Sequence, residues 1–157
     1  MGTPNLAEIF PIHRIRLHMK SVDKDEAFEE LVGLMVEPSD PDARARILNI
    51  IRERENKMST GIKRGIAVPH GKIPGGSGIA GALGISDRGI EYDALDGKPV
   101  HLVFLFTSGE SMTEEHLGVL RSISKLAEDE NRIEEIKHAR SAEEVHGIIS
   151  RYERSSA

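Results

Sequence analysis

"IEYDALDGKPVHLVFLFT", residues 90–107, decides how the rest of the chain has to be arranged. From Pro99 to Thr107 the residues are apolar nearly throughout and rich in β-formers, so both faces need cover and the segment reads as a central strand. Asp96-Gly97 ahead of it signals a tight turn, which predicts that "IEY" and "PVHLV" are antiparallel neighbours. Working outward, "GIAV" (65–68) and "IAGALGIS" (79–86) supply further short β-runs with glycines between them.

Helical patterns flank these strands. Asp23 with Glu26 forms a capping box ahead of Ala27, Phe28, Leu31, Leu34 and Met35, which recur at helical spacing. Asp40 as N-cap and Pro41 at the first helical position open a second helix, with Ala43, Ile47, Ile50 and Ile51 as its stripe. That helix is expected to end before the turn-rich "KMSTGIKRG" (57–65). After "TSGESMT" (107–113), Thr113 or Ser111 can cap a helix that puts Leu117, Leu120, Ile123 and Ala127 on one face. Ser141 with Glu144 opens a last helix. Helices, then strands, then helices predict a single α/β domain on a mixed parallel and antiparallel sheet.

The 157 residues suit one domain with a real core. With 38% hydrophobic and 30% charged residues the profile is that of a globular protein rather than a disordered tail, and no apolar run is long enough to insert in a membrane. "MGTPNLAEIF" has neither a basic leader nor an apolar signal segment, and zero cysteines exclude disulfides, thiolate metal sites and a cysteine nucleophile. The expected location is cytoplasmic. A formal charge of -5, from 21 basic and 26 acidic residues, argues against general nucleic-acid binding.

Two glycine-rich stretches imitate nucleotide motifs. "GSGIAG" (76–81) matches GxGxxG, with Asp96 about 20 positions on, but it runs into a strand instead of opening a helix. "GIAVPHGK" (65–72) has one residue too many between its glycines for a phosphate loop, and Ile73 follows the lysine where Ser or Thr is needed. No cofactor follows from either.

Of seven histidines, His13, His18, His101, His138 and His146 show no metal-ligand spacing and read as surface or boundary residues. His70 is set apart by its neighbours. Pro69 fixes its own φ and biases Val68 toward an extended shape, while Gly71 permits a sharp turn and close approach by another molecule. An imidazole held there is largely neutral near pH 7, with one ring nitrogen free to attack. His116 falls in the first turn or so of a helix, where free N–H groups favour an anion, and it reads by itself as a half-exposed helix residue. Arg54 closes the second helix, where its charge complements the helix end and can also serve the His70 loop. A metal held by His70 and His116 would have only two ligands, so no metal is expected.

Three ordered blocks then carry a resemblance. "RENKMSTGIKRGIAVPHGK" (54–72), "IEYDALDGKPVHLVFLF" (90–106) and "TEEHLGVLRSISKLAEDE" (113–130) resemble segments of the type-2 IIA component of the bacterial phosphoenolpyruvate-dependent sugar phosphotransferase system. That family covers fructose and mannitol components and their nitrogen-regulatory relatives. The similarity runs from about Leu6 to Tyr152 within a single domain spanning 1–157, and it implies helices on both faces of the mixed sheet. It further implies a protein-histidine phosphotransferase: His70 accepts a phosphoryl group from an HPr-like phosphocarrier and passes it to a IIB protein or domain for sugar uptake. By the same resemblance His116 is a hydrogen-bond helper and Arg54 a charge stabiliser; backbone N–H groups around Gly71, with Lys72 beside it, are the expected phosphate-binding positions. The alternative is a nitrogen-type module whose His70 phosphorylation controls binding to other regulatory protein targets. The chain departs from the family pattern at Lys63 and Arg64, where many relatives carry a glycine and a small or polar residue. It departs again at "TSGES" (107–111), which replaces a segment often containing a Val-Pro pair.

Overall fold

The computed structural model describes residues 4–156. Its sheet is built around β5 (Val100–Gly109), as the apolar run predicts. β4 (Ile79–Ile90) lies antiparallel to one edge of β5, and β1 (Ile15–Arg16) is parallel to the far edge of β4. The other edge of β5 takes two short parallel pieces in succession, β2 (Ile66–Ala67) against Leu102 and Val103, then β3 (His70–Ile73) against Phe106 to Gly109. Pro69 stands between them, where its missing N–H interrupts the edge while its carbonyl still accepts from Phe106 N–H.

Side-chain alternation explains why β5 is apolar on both faces. Leu102, Phe104 and Phe106 point to one layer of helices: α1 (Leu6–Ile9), α4 (Thr113–Glu128), α5 (Glu130–Lys137) and α6 (Ala142–Ser156). Val103 and Leu105 point to the other, formed by α2 (Lys24–Met35) and α3 (Pro41–Lys57). The single α/β domain with a mixed sheet and helices on both faces is therefore as expected. The caps also agree: Asp23 accepts from Glu26 N–H, Asp40 from Ala43 N–H, and the Ser141 hydroxyl from Glu144 N–H.

Several details differ from the sequence reading. β4 and β5 are antiparallel neighbours, but a loop over 91–99 separates them rather than a two-residue turn. Its Asp96 accepts from Lys98 N–H and its Gly97 has φ +72°, so the Asp-Gly turn exists without closing the hairpin. α4 is capped at Met112, without a side-chain hydrogen bond, rather than at Thr113 or Ser111. Its buried face runs through His116, Val119, Ile123, Leu126 and Ala127, leaving Leu117 47% exposed. The short α1, β1 and α5 carry too little pattern of their own to be read from sequence.

Candidate functional site

β3 is an edge strand, and at that edge the two helical layers meet. The C-terminal end of α3 and the N-terminal end of α4 border a hollow of about 300 Å³ lined by Ile50, Glu53, Arg54, Lys57, His70, Gly71, Lys72 and His116. The five residues singled out above, Arg54, His70, Gly71, Lys72 and His116, thus come together. A larger hollow of about 440 Å³ lies between Arg64, His101 and Lys137. Four of its charges pair, Arg64 with Glu130 and Lys137 with Glu134, and its lining holds no pair of imidazoles, so the smaller hollow is the chemical candidate. This also places Arg64, one of the two departures, away from His70, on the carbonyls of Ala127 and Glu128 at the end of α4.

His70 opens β3, in register with Phe106 on β5. Side chains in register share a face, and the imidazole stacks on the Phe106 ring at 5.6 Å and 19°. Its Nδ1 lies 2.6 Å from the carbonyl oxygen of Val68. A carbonyl can only accept, so Nδ1 carries the proton and the neutral ring keeps its lone pair on Nε2. Burial, with Arg54 in support, holds the His70 pKa below the ordinary histidine value, against the opposing pull of the Val68 bond and Glu55.

The Val68 carbonyl is itself held in place. Val68 N–H donates to the Thr60 carbonyl, and Thr60 donates through both N–H and hydroxyl to Glu55, at 2.7 and 2.6 Å. Glu55 is buried at the end of α3, where it also takes a hydrogen bond from Tyr92 and an ion pair with Lys24 at 3.3 Å. This network ties the loop before His70 to the helix that carries Arg54. Sequence reasoning missed it, because Glu55 looks like one more charge on a polar helix end.

His116 sits across the hollow, its ring 5.1 Å from that of His70 and 4.9 Å from Phe106. It is only 4% exposed, not half-exposed as read from sequence, because it lies on the buried face of α4 and forms part of the hollow's lining. Burial, followed by His70, Lys72 and Arg54, holds its pKa down to about 4. Both rings are therefore neutral near pH 7, two uncharged imidazoles in a hollow that Arg54, Lys57 and Lys72 line together with one carboxylate, Glu53.

Gly71 is required for a different reason from the one its position suggested. It lies within β3 rather than in a turn, and a Cβ there would overlap Cγ2 of Ile50, so glycine lets the strand approach α3. The Pro69 carbonyl accepts from Phe106 on β5 and the Ile73 carbonyl from Glu110 just past its end, so the two-residue alternation turns the Gly71 backbone groups to β5 as well. The amides of His70 and Lys72 face the free edge instead. The exposed Lys72 reaches Thr113 Oγ1 at 3.4 Å, and Arg54 Nη1 donates to the Met58 carbonyl at 3.0 Å. Among the described residues no group of three or more His, Asp or Glu side chains is placed to hold a metal ion. No helix among them is long and apolar enough to cross a membrane.

The family model described as "Phosphoenolpyruvate-dependent sugar phosphotransferase system, EIIA 2" matches residues 8–152. The PTS system fructose-specific EIIA component of Haloferax volcanii is 31% identical over 150 residues, covering 96% of this chain and 97% of that protein. The fructose-specific EIIABC component of Bacillus subtilis is 32% identical over 95% of this chain, which spans 24% of that protein's length. The crystal structure of the nitrogen regulatory protein IIA-Ntr from Neisseria meningitidis matches with a TM-score of 0.84 at 34% identity, over 92% of this chain and 98% of that one.

Proposed function

The chain belongs to the phosphoenolpyruvate-dependent sugar phosphotransferase system EIIA 2 family, and from that membership we propose that it carries a phosphoryl group on Nε2 of His70, received from an HPr-like phosphocarrier and passed to a IIB protein or domain. The observation that carries this reading is the pair of neutral imidazoles 5.1 Å apart in one hollow, one of them with its Nδ1 proton held by the Val68 carbonyl.

Nε2 of His70 attacks the phosphorus of the incoming phosphohistidine in line. A new P–N bond forms as the donor's P–N bond breaks, and the donor imidazole leaves with the electron pair. The His70 ring gains positive charge, which the Nδ1–H bond to Val68 disperses. Onward transfer reverses these roles, with His70 as leaving group. Charge in such transfers rests on the equatorial oxygens, so catalysis is positioning plus electrostatic stabilisation. Arg54 supplies the cation, and His116 donates a hydrogen bond. No cofactor is needed, since the phosphoryl arrives already activated on nitrogen, and a thiol acceptor would belong to another chain because this one has zero cysteines.

A IIB acceptor draws support from the Bacillus relative, whose name joins A, B and C components. The second reading, a regulatory module whose His70 phosphorylation state selects its protein targets, draws support from the likeness to IIA-Ntr. We take residues 6–152 as the carrier unit in either case, acting in the cytoplasm. The test is to incubate the protein with phosphorylated HPr and then with a IIB protein. The carrier reading expects acid-labile phosphate that His70→Ala abolishes and His116→Ala slows, and that then leaves for IIB. Phosphate that stays in the presence of IIB supports the regulatory module instead, and labelling that survives His70→Ala overturns both.

A further inference from the structure

The two imidazoles need opposite tautomers to cooperate. His70 must present a bare Nε2 to attack, whereas a helper must present a proton. Nothing in the His116 side chain itself selects the nitrogen that carries it. What selects it is Ser108, near the end of β5.

Ser108 follows Phe106 by two residues, so its side chain falls on the same face of the sheet, and its Oγ lies 2.6 Å from Nδ1 of His116. Two assignments satisfy that distance. In one, His116 Nδ1–H donates to the hydroxyl oxygen. The hydroxyl proton then needs another acceptor, and among the described residues Oγ has no other hydrogen-bond partner. Ser108 is 1% exposed, so solvent does not replace it, and a buried O–H would be stranded at a cost larger than the bond is worth. In the other, the hydroxyl donates to a bare Nδ1 and every group is satisfied, with the ring proton on Nε2.

We propose that Ser108 is a positioning residue whose hydroxyl donates to Nδ1 of His116 and holds that ring as the Nε2–H tautomer, ready to donate to a phosphoryl oxygen on His70. Val68 and Ser108 thereby set complementary states on the two rings: a carbonyl makes His70 a nucleophile, and a hydroxyl makes His116 a donor. The role toward the phosphoryl oxygen rests on the carrier reading, while the tautomer does not.

Long-range proton–nitrogen spectra of the ¹⁵N-histidine-labelled wild-type protein near pH 7 test it without any substitution. The expected spectrum shows His116 protonated on Nε2 and bare on Nδ1, and His70 the reverse; a proton on Nδ1 of His116 overturns the assignment. In Ser108→Ala, the His116 signals are expected to shift to a mixture of tautomers. Labelling of His70 by phosphorylated HPr should slow about tenfold, the size of one net hydrogen bond. An unchanged tautomer or an unchanged rate in that variant would also overturn it. Wild-type protein that shows the Nε2–H tautomer yet takes no phosphate from HPr would defeat the carrier reading and leave the tautomer assignment supported.

Discussion

Adding one methyl group at Gly71 should disturb both stability and chemistry, and the structure says how to undo the damage. A Cβ built at Gly71 overlaps Cγ2 of Ile50, a methyl fixed directly on the β-carbon of a helical, β-branched residue. Such a side chain has one strongly preferred rotamer and cannot swing aside, so α3 and β3 must separate. Overpacking of this kind costs about 1–3 kcal/mol, or a fall of about 2–4 °C in melting temperature for each kcal/mol in a domain of this size. Ile50 is only half-buried, so Ile50→Ala alone should cost about 1 kcal/mol, below the range for a fully buried isoleucine. The double variant should then be more stable than the sum of the two, by about 1–2 kcal/mol of coupling. Urea unfolding of the four proteins, with equal slopes and different midpoints, reads this directly. Because His70 precedes Gly71, labelling of His70 should slow in Gly71→Ala and partly recover in the double variant. Strictly additive losses, or a neutral Gly71→Ala, would refute the packing argument.

Two further outcomes are expected. Glu55→Ala removes the acceptor for Thr60 N–H, Thr60 hydroxyl and Tyr92 hydroxyl, and leaves Lys24 without its partner. Urea unfolding should register about 3 kcal/mol or more, and a loss under about 1 kcal/mol would show that the network is not what anchors the loop. The depressed histidines also predict a pH dependence. His116 is held at about 4, below the unfolded value of 6.5, so the unfolded chain takes the proton first as acid is added. Its contribution is complete above pH 6.5 and is lost as pH falls toward 4, and burial of His70 works in the same direction. Between pH 7 and 4.5 the unfolding midpoint of His116→Asn should therefore drop less than that of the wild type. Equal drops would contradict the assigned cause.

How much of this was legible in the sequence depends on range. Local signals read well: Asp23, Asp40 and Ser141 cap the helices expected of them, and the run from Val100 forms the central strand because nothing but a twice-covered strand suits it. The chain segments that carry His70, His116 and Arg54 could be picked out, the first by its Pro and Gly neighbours and all three by the family resemblance. Contacts set by register could not. That His70 faces Phe106, and that Ser108 falls beside His116, follows only once β3 is paired with β5 residue by residue. Leu117 shows the same limit within one helix, since Leu117 and His116 are adjacent in sequence and tertiary packing buried the histidine and left the leucine out. Gly71 is a place of close approach, but it lies within β3 rather than in a sharp turn, and the approaching body is Ile50 of its own chain rather than another molecule.

The central claim is that His70 takes phosphate on the nitrogen that Val68 leaves bare. Phosphorylating ¹⁵N-histidine-labelled protein with phosphorylated HPr, and reading which imidazole nitrogen couples to phosphorus, tests it most directly. A single phosphorylated site is expected, Nε2 of His70, with Nδ1 still protonated. Phosphorus on Nδ1 of His70, or on His116, would contradict it.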